Sequence, residues 1–353
     1  MKAVRVGIIG GGWPGTTHAQ AVEKTGGMQV TAVCDLIPAR QATLQKLCPA
    51  AKLQPDAAAL VGDPAVDVVV ICTPTHTHVD LACLALKKGK TIVIEPPAAA
   101  SSSEARKIAR QSEKYGKPAF VSLQRRFGGV ELAAKLAIEK GLIGEPYAVR
   151  ASWTRSRAIP LGTGWYGRRD HSGGGALMDL GLPLLDLAGW YLGSLEIENC
   201  TTVLQRRFSR LVPPNLGYDT EDAATCLLNV SGGKSIELSV AWAINQPPGA
   251  NMTSLRVHGT EGCMDVYTSE GAVVYRNFNE RGDAQRSLLK PPNVAGYDRL
   301  WRHVKDVLAG KEGPACTAAA SVELIKTVER LYRSAPTISP YPPADAALQS
   351  PSK

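Results

Sequence analysis

From Val4 to Ile9 the chain runs through mostly β-branched, apolar residues and then meets Gly10-Gly11-Gly12-Trp13-Pro14-Gly15, after which a helical pattern runs from about Thr16 to Lys24. An apolar run of that length suits a parallel strand buried on both faces. With G-x-G-x-x-G placed between a strand and a helix, the first glycine permits the turn. The second lets a pyrophosphate approach the backbone, and the third lets helix and strand pack closely. The N–H groups and dipole of the helix start then face the phosphates. A second strand, Gln29 to Cys34, ends at Asp35, twenty residues past Gly15, where a carboxylate can take the hydroxyls of a ribose. The fingerprint therefore predicts a bound dinucleotide. A carboxylate at that place repels a 2′-phosphate, which favours NAD, while Arg40, a helical turn beyond, keeps NADP open.

The alternation continues, with strands at Val66 to Cys72, Thr91 to Ile94 and Ala119 to Ser122 and helices at His78 to Lys88 and Ser102 to Tyr115. It predicts a doubly wound α/β sheet, an N-terminal Rossmann fold over residues 1–124. Thr73-Pro74-Thr75-His76-Thr77-His78 follows a strand at the carboxyl edge of that sheet, where ligands bind. Thr73, Pro74, His76 and His78 are therefore expected beside the cofactor with Trp13 and Pro14, and Thr77 can cap the helix that begins there. Beyond about residue 125 a helical stretch, Val130 to Lys140, leads into long β-like segments. These are Tyr147 to Ser156, Glu198 to Phe208, Thr220 to Val230, Ser235 to Ala243, Leu255 to His258 and Val273 to Phe278. The glycines of Ser231 to Lys234 suit a hairpin turn. An α+β second domain on a mainly antiparallel sheet is expected over 125–336, with a last helix at Leu324 to Arg333. The Pro/Ala/Ser-rich tail, 337–353, is expected to be disordered.

A length of 353 residues agrees with two domains, and 44% hydrophobic with 20% charged residues describes an ordinary globular chain. The net charge of +8 does not point to nucleic acid, because Lys and Arg are scattered and aromatics are only 6%. An anionic cofactor accounts for the excess more simply, with or without an acidic substrate. Eight cysteines lie singly, with no C-x-x-C pair, so no metal site is expected and the thiols read as small buried apolar groups in a reducing compartment. The N-terminal apolar run breaks at glycines too early for a signal peptide, and no stretch is long enough for a membrane span. A cytoplasmic protein is expected.

Four blocks, GIIGGGWPGTTH, CTPTHTHVDLACLALKKGKTIVIEPPAA, SGGGALMDLGLPLLDLAGWYLG and VHGTEGCMDVY, in this order make the chain resemble the glucose–fructose oxidoreductase/inositol dehydrogenase (Gfo/Idh/MocA) family over nearly its whole length. The resemblance implies a C-terminal domain with an open sheet, homodimers or homotetramers formed through that sheet, and NAD(P)-dependent hydride transfer on sugars, cyclitols or related polyols. It also implies a lysine in a Glu-Lys-Pro motif, and an Asp with a His four residues on in the block after the glycine run. Here the first reads Glu95-Pro96-Pro97, and the second supplies Asp179 with Pro183 at the histidine position.

Oxidising an alcohol by hydride transfer requires a base near the hydroxyl. Asp179 is the candidate, with His171 and Tyr166, from the polar cluster ahead of the glycine run, as further proton carriers. Arg168 and Arg169 in that cluster, and Arg125 after the last Rossmann strand, are candidates to grip the substrate. At least one of Arg125 and Arg126 is read as an exposed arginine, and Asp186 and Trp190 as helix-packing and capping residues. Glu95 and Pro96 are expected at the cofactor. Three functions stay open: an NAD(P)-dependent oxidoreductase, a glycosidase using NAD transiently, or a non-catalytic dinucleotide- or sugar-binding sensor or partner subunit.

Overall fold

The computed structural model describes residues 3–162, 164–247, 252–291 and 294–336, so the tail expected to be disordered lies outside the described residues. Six strands, β1 (Val4–Ile9), β2 (Met28–Cys34), β3 (Lys52–Leu53), β4 (Val68–Ile71), β5 (Thr91–Ile94) and β6 (Ala119–Val121), form a sheet of order β3-β2-β1-β4-β5-β6. All its pairings are parallel. Every residue of β4, β5 and β6 is buried, as a sheet covered on both faces requires. The order reverses between β1 and β4, which opens a crevice at the carboxyl ends of those strands.

The helices that cover this sheet are α1 (Trp13–Lys24), α2 (Pro38–Leu47), α3 (Ala57–Gly62), α4 (His78–Lys87) and α5 (Ser102–Tyr115). The first begins at Trp13, three residues ahead of the expected start, because Pro14 falls in the first turn, where its missing N–H is not needed. Thr77 occupies the N-cap position of α4 but does not cap it. Its hydroxyl donates to the Pro74 carbonyl at 2.8 Å and lies 2.6 Å from Thr73 Oγ1.

After α6 (Gly129–Glu139) comes the second sheet: β7 (Pro146–Thr154), then, past α7 (Arg169–Ser172) and α8 (Leu182–Leu192), β8 (Ile197–Gln205), β9 (Ala223–Val230), β10 (Lys234–Ala241), β11 (Met252–Gly259), β12 (Gly262–Thr268), β13 (Gly271–Arg276) and β14 (Gln285–Leu288). Its order is β14-β13-β12-β11-β7-β10-β9-β8. Only the β7–β10 pairing is parallel, so the expected mainly antiparallel sheet is found. Val230 pairs with Lys234 across the predicted hairpin, whose Gly232 and Gly233 have φ of 78° and 69°. One face of the sheet is packed by α8 and the turn before it. The other alternates outward through Thr225, Leu227 and Asn229 and is open.

Two helices then return to the first sheet. The periodicity of α9 (Gly296–Leu308) buries Tyr297, Leu300, Trp301 and Val304. They join Val6, Ile8, Ala19, Val22 and Phe120 in one core cluster. α10 (Ala318–Ser334) packs on α5, where Glu329 accepts from the Ser102 N–H and hydroxyl, both at 2.7 Å. All eight cysteines are free and none is exposed. Burial pushes the Cys48 thiol up to about 11 and the Cys226 thiol up to about 12, as inert packing residues require.

Candidate active site

The glycine turn is built by close approach. Gly10 has φ of 100°, and a Cβ there would land on the Cys72 carbonyl oxygen; a Cβ on Gly15 would land on the Gly10 carbonyl oxygen. The strand-to-helix corner therefore requires both glycines for its own folding. Gly12 is different. Its φ of −68° and ψ of −174° are open to any residue, and a Cβ would meet only Pro14 Cδ at 3.7 Å. Nothing in the protein demands glycine at 12, so the space beside it fits a group brought from outside. α1 has no side-chain cap and no acid in its first turn, which leaves its positive end for an anion.

Asp35 holds this loop, accepting the Gly11 N–H at 2.5 Å and the Ile37 N–H at 2.7 Å. Its carboxylate thus stands at the edge of the crevice where a ribose would lie. Trp13 is 71% exposed at the start of α1, and Arg40 is exposed on α2. These residues fit a nicotinamide dinucleotide: Gly12 and the α1 terminus for the pyrophosphate, Asp35 for the ribose.

Along α1, Trp301 Nε1–H donates to His18 Nδ1 at 2.9 Å, and His18 Nε2 lies 2.9 Å from Glu95 Oε1. Because Nδ1 accepts, the ring proton is on Nε2, and His18 donates to Glu95. The Tyr297 hydroxyl donates to the second Glu95 oxygen at 3.4 Å. Glu95 is thereby oriented at the end of β5 by two residues of α9 and one of α1. The next bond, Pro96–Pro97, is cis. His78, 2% exposed, has Nδ1 3.1 Å from the Pro97 carbonyl and Nε2 2.9 Å from the Thr73 carbonyl. Burial lowers its pKa against the pull of these carbonyls, and the ring stitches together the loops after β4 and β5. Both ring nitrogens are engaged inside the protein.

The proton-carrying candidates converge from the other side. Asp179 lies in a π-helical turn, Leu177–Gly181, and its Oδ2 accepts from Trp242 Nε1 at 2.7 Å. Burial raises its pKa, against the indole hydrogen bond and the charge of Arg155. Tyr166 stacks on Trp165 with ring centroids 3.8 Å apart and meets Trp242 edge-on at 6.3 Å. Its pKa is pushed up by burial first, then by the negative charges of Asp179 and Glu95. Asp179 and Tyr166 therefore meet on Trp242, within reach of the charge of Glu95.

The turn that carries Asp179 follows a glycine run that packs closely on its neighbours. A Cβ on Gly174 would land on the Tyr332 hydroxyl, and one on Gly175 on the Glu221 carbonyl oxygen. This close approach lets the sealed Glu221 accept the Gly175 N–H at 3.0 Å, the Leu177 N–H at 2.9 Å and the Tyr332 hydroxyl at 2.8 Å. Pro183, in the first turn of α8, leaves no N–H unsatisfied.

The remaining candidates are placed elsewhere. His171 Nδ1 is 2.7 Å from Asp170, whose carboxyl is held down to about 2 by that bond and by Arg168. The His171 ring lies 4.2 Å from that of His76, so the pair links α7 to the loop after β4 at the rim of the crevice. Burial lowers the pKa of His76, and His171 lowers it further. Arg168 pairs with Asp170 at 2.9 Å, and Arg169 lies over the Tyr332 ring at 4.6 Å. Arg125 donates to the Tyr267 hydroxyl at 2.9 Å and lies 4.3 Å over the Trp153 ring, while Arg126 forks onto Asp186 at 2.7 and 2.6 Å. Neither is a loose surface arginine. Sequence reasoning missed His18, Glu221, Trp242, Tyr297 and Trp301; His18 sits inside the GIIGGGWPGTTH block, and Tyr297 and Trp301 keep the helical spacing of α9.

A family model described as "Oxidoreductase family, NAD-binding Rossmann fold" matches residues 4–123, and one described as "GFO/IDH/MocA C-terminal domain" matches residues 132–265. The chain is 28% identical over 320 residues to the inositol 2-dehydrogenase of Acidothermus cellulolyticus, covering 89% of this chain and 88% of the relative. It is 29% identical over 252 residues to the D-glucoside 3-dehydrogenase of Escherichia coli, covering 69% and 71%. An oxidoreductase from Agrobacterium radiobacter, solved with NAD+, L-tartaric acid and magnesium, superposes with a TM-score of 0.80 at 24% identity, covering 94% of this chain and 96% of that one.

Proposed function

The chain belongs to the GFO/IDH/MocA family of NAD-binding oxidoreductases, and from that premise we propose an NAD-dependent dehydrogenase that oxidises a carbinol of a sugar, cyclitol or related polyol. The observation that carries the reading is the meeting of Asp179 and Tyr166 on Trp242, within reach of the charge of Glu95 at the end of β5. A bound NAD supplies the hydride acceptor. Residues 1–124 hold the cofactor through Gly12, Asp35 and the loops of Thr73–Pro74 and Glu95–Pro96. Residues 125–336 supply the substrate pocket. Asp179 takes the hydroxyl proton, Tyr166 hydrogen-bonds the same oxygen, and the His76–His171 contact closes the rim. Pro96 and Pro183 bring neither charge nor proton, so the proton passes through Asp179. Among the described residues no helix is long and apolar enough to cross a membrane, and eight free thiols support a cytoplasmic location.

The test is a titration with NADH followed by nicotinamide fluorescence, then a panel of sugars and cyclitols with NAD or NADP followed by absorbance. NAD-linked turnover on a polyol supports the reading. Binding without turnover on any of them would return the protein to the sensor class.

The open face of the second sheet supports a homodimer or homotetramer. Val203 and Leu227 are 48% and 52% exposed there, beside a shallow hollow of about 530 Å³ also lined by Thr201, Thr225 and Ser254. Leu227→Glu is expected to convert the oligomer to monomers in sedimentation velocity; a monomeric wild type at micromolar concentration would sink the assembly.

A further inference from the structure

Trp242 is 0% exposed and pinned on both sides: its backbone N–H donates to the Asp222 carbonyl and its carbonyl accepts the Ala158 N–H, each at 2.8 Å. It continues the inward alternation of β10, in which Ile236, Leu238 and Val240 are buried. That strand packs directly on the π-helical turn that carries Asp179, since a Cβ on Gly181 would meet Leu238 Cδ2 at 3.4 Å. The indole is therefore held in place, and its buried N–H needs an acceptor. The acceptor is Asp179 Oδ2, at 2.7 Å.

This bond makes the two oxygens of the carboxyl unlike. Oδ2 is taken by a group that donates and never accepts. Among the described residues no side chain or backbone N–H donates to Oδ1. A proton settling on Oδ2 would weaken the indole bond, so the oxygen left to receive one is Oδ1. Unlike an imidazole at the same place, the indole cannot take that proton itself.

Resting on the dehydrogenase reading above, we propose that Trp242 is the positioning residue of this site: its indole holds Asp179 by Oδ2 and leaves Oδ1 to take the substrate proton. The carbinol loses its hydride, with the C–H electron pair, to NAD and its O–H proton to Oδ1, and becomes a carbonyl. Trp242 acts through Asp179, and its edge-on contact with Tyr166, 6.3 Å between centroids, keeps the second proton carrier against the same ring. Burial works against the carboxylate, while the indole bond and the charge of Arg155 favour it. The other titratable groups nearby are Tyr166, Glu95, whose charge reaches Tyr166, and Glu221, sealed behind the glycine run with Tyr332.

The experiment removes the N–H and keeps the shape. Full-length protein carrying benzothienylalanine at position 242, a tryptophan isostere with sulfur in place of the N–H, is compared with the wild type and with Trp242→Phe. In both replacements kcat on the polyol the wild type oxidises should fall about tenfold, and the acid limb of the pH–kcat profile should move up by about one pH unit. NADH affinity should be unchanged. The isostere fills the volume that Trp242→Phe empties, so its fold needs no repacking, and the NADH titration reports that it is intact. A readout free of turnover is the carboxyl carbon of Asp179 in protein labelled with ¹³C-aspartate, assigned by its loss in Asp179→Asn. Its midpoint should rise by about one pH unit in the isostere. Wild-type turnover with the acid limb and the Asp179 midpoint unmoved in the isostere would overturn the role of Trp242 alone. No wild-type turnover on any polyol would overturn the dehydrogenase reading itself.

Discussion

Asp179→Asn should lower kcat on the oxidised polyol by roughly 10²–10⁴-fold while NADH binds as tightly as to the wild type. The amide keeps the shape and an acceptor for the Trp242 indole, so what is lost is the capacity to take a proton. Stability should move the other way. Burial raises the Asp179 pKa in the folded protein. A carboxyl with a raised folded pKa adds its stability below the ordinary aspartate range and loses it as pH climbs through the folded value. At pH 8 the buried carboxylate is therefore a cost that asparagine does not carry. Thermal unfolding should show Asp179→Asn at or above the wild-type Tm at pH 8, with the advantage shrinking as pH falls toward 4. Activity preserved within tenfold would remove Asp179 as the base. A Tm lowered at pH 8 would make it a structural residue.

The second large effect separates two glycines of one motif. Gly12→Ala should leave Tm unchanged, because the added methyl meets only Pro14 Cδ at 3.7 Å, and yet weaken NADH binding by about 10²-fold by holding the pyrophosphate off the α1 terminus. Gly15→Ala should lower both Tm and affinity, since its Cβ would collide with the Gly10 carbonyl oxygen and the corner must open to admit it. Thermal unfolding and a fluorescence titration on the two variants decide the matter. Equal losses of Tm would show that Gly12 also serves the fold, and full NADH affinity in Gly12→Ala would remove the pyrophosphate from that place.

The first sheet was readable because β4 and β5 at its centre are unbroken runs of β-branched residues, and β1, β5 and α5 fall on the residues expected of them. The glycine turn and Asp35 were readable for the same kind of reason: a local chain requirement leaves a local pattern. Elements that depend on distant partners left less. The helix α9 was missed although Tyr297, Leu300, Trp301 and Val304 have helical spacing, because it follows a polar stretch and its partners lie some 280 residues earlier, at His18. α2 and α3 were missed because each buries only one or two side chains. In the site, Asp179 could be named from its block and Tyr166 from the polar cluster ahead of it. Trp242 and Glu221 could not, because a strand tryptophan and an acid between two others become distinctive only when folding packs them against Asp179 and the glycine run.

The chain Trp301–His18–Glu95 has a consequence for how the molecule is made. A ribosome delivers the whole first sheet well before α9, so Val6, Ile8 and Phe120 wait uncovered on one face until the second sheet has also been synthesised. The nascent N-terminal half carries an apolar groove shaped for its own distant helix, and Glu95 has no fixed orientation until that helix arrives. A product that stops before α9 lacks the Tyr297 and Trp301 contacts that fix the acid at the end of β5.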